Sequence, residues 1–183
     1  MPGIKIVTTL IAFLLLPVSA HSTDANGLLR VSGSTGFTYE LSDPDIRISL
    51  PNLPQFEMIP HPLNEQLSHM RFFGGDSNFN IAIITPTGAE GISPLECATA
   101  IADSVVTSAG IQPHEVFRGR ANEQTFMLIY GRLNEGFVQL NAHIISAAGK
   151  DYCIEVHVSK LSDTDDDVAP WFTGFESSNI EAL

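Results

Sequence analysis

The sequence predicts an α+β fold: one antiparallel sheet covered by two helices, an α/β/α sandwich forming a single domain over residues 36–183. Three observations carry this expectation. Short segments with period-two alternation recur along the chain, joined by connections too short for parallel crossovers. A capped amphipathic helix interrupts them midway. Two of the strands are apolar on both faces, which demands cover on both sides of the sheet.

The first element is not part of the fold. MPGIKIVTTLIAFLLLPVSA (1–20) has one basic residue, Lys5, an apolar run from Ile6 to Leu16, a helix-breaking Pro17 and small residues at Val18-Ser19-Ala20. That is the pattern of a secretory signal peptide cut after Ala20. Thr8, Thr9 and Pro17 leave too few uninterrupted apolar residues for a spanning helix, which needs about 18 or more. His21, not a cysteine, follows the cut, so lipid attachment at that point is not indicated. The expected product is periplasmic or secreted, without a membrane span. Residues 21–35, HSTDANGLLRVSGST, are small, polar and glycine-containing, and read as a flexible lead-in.

FTYEL and IRISL follow, with Phe37, Tyr39 and Leu41, then Ile46, Ile48 and Leu50, on one side. The turn residues Ser42-Asp43-Pro44-Asp45 between them predict a hairpin with one buried face. PNLPQFEMIPHP is too rich in proline for a central strand and admits at most a short edge strand around Phe56 to Ile59. SHMRFF and FNIAIIT, divided by Gly74-Gly75-Asp76, predict a second hairpin.

Ser93-Pro94-Leu95-Glu96 is a capping box with proline at the first helical position, where hydroxyl and carboxylate each satisfy an otherwise orphaned backbone donor. Leu95, Ala98, Ala102, Val105 and Ala109 then recur at helical spacing until Gly110. On this reading Cys97 lies on the flank of the apolar stripe, about 120° from its centre. After the helix, VFRGR, QTFMLIYGR, GFVQLNAHIIS and DYCIEVHVSK predict an antiparallel meander with short turns. Phe126-Met127-Leu128-Ile129-Tyr130 is apolar on both faces. The second cover is expected from the C-terminal segment, where Val168, Trp171, Phe172 and Phe175 follow helical spacing behind an aspartate cluster.

This order of strands, helix, strands and an aromatic terminal helix ending in WFTGFESS resembles the PsbP-like family of α/β/α sandwich proteins. The resemblance spans roughly residues 36 to 180, and no family motif is matched residue by residue. It implies an accessory or partner-binding role rather than catalysis, and it transfers no functional residues.

Composition narrows the partners. Nine Lys+Arg stand against 21 Asp+Glu, a net charge of −12. Loss of the leader would remove Lys5 and make the mature chain more acidic still. Such a chain repels phosphate backbones, so nucleic acid is a poor partner and a protein with a basic surface is the expected one. Two cysteines in an exported protein most often pair, which predicts a Cys97–Cys153 disulfide contributing about 4 kcal/mol in the chain-entropy picture; the alternative is two unpaired buried thiols that act as small apolar side chains.

Signatures of catalysis are sparse. The sequence contains no G-x-S-x-G, H-E-x-x-H, C-x-x-C or P-loop pattern. DTDDDV places Asp163, Asp165 and Asp167 at calcium-loop spacing, but Val168 stands where the loop needs glycine and Gly174 where it needs glutamate. GRANEQ and GRLNEG read as turns flanking one strand, not as a repeat. One polar row remains in DYCIEVHVSK. If Ile145 opposes Cys153, then His143 faces Glu155 and Asn141 faces His157, which would gather two imidazoles and a carboxylate on one face.

Two function classes therefore lead, with an enzyme third for want of any nucleophile or acid/base pair at diagnostic spacing. The first is an exported soluble interaction protein, an accessory or immunity-type module without catalytic activity and without a cofactor. The alternative is a small-ligand or metal carrier that uses His143, Glu155 and His157. Cys153 shares that face, so a bridge to the helix requires either that the helix covers only one end of the face or that a bulge turns Cys153 away.

Overall fold

A computed structural model describes residues 29–42, 44–61, 70–77, 79–85, 92–110, 116–134, 137–148, 152–163 and 173–183. It corrects the predicted fold class. Among the described residues there is one helix and there are two antiparallel sheets, so the architecture is mostly β and is not an α/β/α sandwich.

The first sheet has four strands in the order β1 (Leu29–Val31), β2 (Phe37–Ser42), β3 (Asp45–Leu50) and β11 (Asn179–Ala182). The second has seven: β4 (Met58–Pro60), β5 (Met70–Gly75), β6 (Phe79–Ile84), β10 (Tyr152–Asp163), β9 (Phe137–Ala148), β8 (Thr125–Asn134) and β7 (Phe117–Arg120). Helix α1 (Pro94–Ala109) packs over β8 and β9. The layers therefore run small sheet, large sheet, helix.

The predicted hairpin of FTYEL and IRISL forms as β2–β3 with Tyr39 opposite Ile48, but it belongs to the small sheet. Its buried side (Phe37, Tyr39, Leu41, Ile46, Ile48 and Leu50) packs against Ile83, Met127, Ile129, Ile144, Ile154 and Val156 of the large sheet. Truncating one such fully buried isoleucine to alanine removes about 2–5 kcal/mol. The outer side of the hairpin carries charge: Arg47 bridges Glu40 at 2.8 Å and Glu181 at 3.3 Å across neighbouring strands.

This small sheet supplies the cover that the sequence assigned to a second helix. Of the expected helical residues, Val168, Trp171 and Phe172 lie outside the described residues, while Phe175 sits in a turn and is buried in the inter-sheet core. The chain then enters β11, whose Ile180 joins the same core. Main-chain groups of Ile180 bond the Thr125 hydroxyl at 3.3 Å and the Ser146 hydroxyl at 3.2 Å, which pins β11 across the large sheet. The segment expected as a lead-in contributes β1, which pairs antiparallel with β2.

Helix α1 begins as its sequence dictates. The Ser93 hydroxyl accepts from the Glu96 amide at 3.2 Å and the Glu96 carboxylate accepts from the Ser93 amide at 2.8 Å; Gly110 closes the helix in the left-handed region at φ 65°. The Ser93 backbone bond holds the Glu96 carboxyl below its usual range. The buried stripe is rotated from the predicted one. Cys97, Ala98, Ile101, Ala102 and Val105 face the sheet, with Cys97 at one edge of that buried arc, and Leu95 is 55% exposed.

Candidate functional site

The large sheet presents two different faces because its side chains alternate. Ala142, Ile144, Ile154 and Val156 face the small sheet. Asn141, His143 and Ile145 on β9, with Cys153, Glu155, His157 and Ser159 on β10, share the opposite, helix-facing side. Cys97 is joined to Cys153, with Cα atoms 5.8 Å apart across 56 positions. The bridge is compatible with an oxidising compartment. Cys153, Ile145, Leu128 and Tyr130 lie in the cluster beneath α1, and the histidines continue the same face beyond it. The helix therefore covers one end of the face, and no bulge turns Cys153 away.

The register of β9 against β10 differs from the expected one by two positions. Glu155 opposes Ile145, His157 opposes His143 and Ser159 opposes Asn141. A shift of two preserves the face, so the same side chains still meet, now along diagonals. His143 Nδ1 lies 2.6 Å from Glu155 Oε1, and His157 Nε2 lies 3.1 Å from Asn141 Oδ1. The Asn141 amide donates to the Gln139 carbonyl at 3.1 Å. Its oxygen therefore faces His157, and Nε2–H of the ring donates to it.

The rings stack. His143 and His157 lie 4.3 Å apart at 4° between planes, and Tyr130 lies 5.6 Å from His143 at 16°. His143 is 5% exposed and Glu155 7%. Burial, with the adjacent His143 imidazole as the second cause and Glu155 opposing, lowers the His157 pKa to about 4. The Tyr130 phenol is raised, first by burial and then by the Glu155 carboxylate. Stacked parallel imidazoles aim their in-plane lone pairs side by side rather than at a common point. Among the described residues no group of three His, Cys, Asp or Glu side chains is placed to hold a metal. His143 Nε2 is buried without a hydrogen-bond partner among the described residues.

Sequence reasoning missed a second feature. A groove of about 340 Å³ opens between α1 and the β7–β8 margin of the large sheet. Leu95, Ala98, Thr99, Ala102 and Asp103 form its helical wall; Phe126 and Leu128 form its floor, with Arg118 and Arg120 beside them. The groove exists because α1 rests chiefly on β8 and β9, to one side of β7. Alternating arginines in FRGR, within so acidic a chain, were the available sequence cue.

No helix among the described residues is long and apolar enough to cross a membrane. No protein-family model matches the chain, and no curated protein matches it.

Proposed function

We propose that the protein is an exported interaction protein, an accessory or immunity-type module that binds another protein and catalyses no reaction. One observation carries this reading: the open groove beside β7, which ends the large sheet among the described residues. A sheet edge next to a helix-walled groove is a recurrent way to take up a partner, with main-chain bonds supplying affinity and the groove supplying selectivity.

The polar row supports the same reading by contrast. A carrier that used His143, Glu155 and His157 would have to break the 2.6 Å bond between His143 and Glu155 and uncover those two enclosed side chains. Charge adds a statement about approach. At −12 overall, the chain steers a partner with a basic surface towards itself, and salt slows that association.

The test is native affinity capture with the mature protein from the compartment that contains it. One stoichiometric protein partner, associating more slowly as salt rises, is the expected result. Absence of any stoichiometric protein partner would overturn the proposal.

A further inference from the structure

Resting on the interaction role above, we infer that the segment received in this groove is an extended acidic strand, which pairs with the outer edge of β7 and sets its carboxylates against Arg118 and Arg120.

Among the described residues no strand pairs with the outer edge of β7. The Ala121 amide donates to the Thr125 carbonyl at 2.9 Å. In an antiparallel ladder, bonded and non-bonded pairs alternate, so the pairs Gly119–Met127 and Phe117–Ile129 are the bonded ones. The N–H and C=O groups of Arg118 and Arg120 consequently point away from β8. They form one dipeptide repeat of donors and acceptors, the spacing an incoming strand matches.

Charge selects what docks there. Arg118 and Arg120 oppose Leu128 and Phe126, so their side chains lie on the α1 side of the sheet, beside the groove. Among the described residues the lining contains these two arginines and one aspartate, Asp103, in a chain where acids outnumber bases 21 to 9. The Arg120 guanidinium lies 4.5 Å from the Phe126 ring centroid, a contact that uses none of its N–H donors. A strand added beyond β7 carries its α1-facing side chains next to those arginines, where carboxylates form charge-assisted bonds.

The same pair rejects other occupants. A basic strand meets like charge, and a second copy joined antiparallel through β7 sets arginines against arginines. Over the length of this contact the local charge outweighs the acidic remainder, which is screened beyond about 8 Å at physiological salt.

The test uses the full mature chain and fluorescent peptides of about ten residues, enough for a strand. One alternates glutamate with valine, one alternates lysine with valine, and one is the glutamate peptide methylated at alternate backbone amides. The glutamate peptide is expected to bind, more weakly as salt rises, and the lysine and methylated peptides to bind at least about ten-fold more weakly. R118E/R120E should lose the glutamate peptide and gain the lysine one. Arg118→Gln alone, at an exposed side chain that leaves the fold intact, should give an intermediate loss.

Equal binding of acidic and basic peptides, or indifference to methylation, would overturn the inference. So would a dimer of the protein that R118E/R120E dissolves, because the occupant would then be a second copy. A native partner still captured by R118E/R120E and not displaced by the glutamate peptide would also defeat it, while leaving the interaction role in place. Failure of that role shows differently, as the absence of any stoichiometric partner.

Discussion

The His143 and His157 rings oppose each other directly across β9 and β10, 4.3 Å apart and nearly parallel, yet each makes its hydrogen bond elsewhere, to Glu155 and Asn141 respectively. Two imidazoles in that position cannot both be charged without mutual repulsion. One ring pairs with a carboxylate and the other with a neutral amide.

The first prediction is a pH dependence of stability. The His157 pKa falls from 6.5 to about 4 in the folded protein. The groups facing it are His143 and Asn141 on β9, with Glu155 beside it on β10. Because the folded pKa is depressed, the unfolded chain binds the proton more readily. Stability is complete above pH 6.5 and is lost as pH falls towards 4, by roughly 3 kcal/mol for this group. Urea midpoints measured across that window should flatten in His157→Gln; an unchanged slope would remove His157 as the cause.

The buried pair makes a second prediction. Glu155→Leu leaves His143 enclosed without its hydrogen-bond partner and should cost roughly 1–3 kcal/mol. His143→Phe combined with Glu155→Leu replaces both by apolar groups and should recover most of that loss. Chemical denaturation of the two single variants and the double variant checks this, and additive costs would contradict it.

Zinc is the third case. Mature protein dialysed against zinc should retain no tightly bound equivalent, because His143 Nδ1 is held by Glu155 and the rings do not converge. A retained equivalent that His143→Ala abolishes would count for the carrier reading and against the interaction role.

The fourth prediction concerns the disulfide. Cys97–Cys153 closes 56 positions and ties α1 to β10. Reduction should lower the melting temperature by the equivalent of about 4 kcal/mol, and Cys97→Ala should do the same without altering peptide binding at the groove. Mass spectrometry under denaturing, non-reducing conditions should find no alkylatable thiol.

Much of the candidate site was legible because it rests on alternation. Cys153, Glu155 and His157 share a face whatever their partner strand does, and a register error of two leaves His143 on that face as well. Which diagonal each ring takes was not legible, since it depends on where β9 and β10 turn and on the amide of Asn141. The groove was hidden for a different reason. It arises from where α1 rests on the sheet, and a helical wheel reports the width of an apolar stripe, not the strands beneath it.

By itself the sequence determined what neighbours along the chain decide: the β2–β3 hairpin, the Ser93–Glu96 cap, the meander from β7 to β10 and the pairing of the only two cysteines. Tertiary structure decided the layers. FTYEL and IRISL look the same whether their apolar side meets a helix or another sheet, and the four residues of β11 are too few to show a period. Only contacts between residues as distant as Ile48 and Ile180, paired across the small sheet, choose the sheet as the second cover. Burial is what selects them, and burial is a property of the whole assembled core.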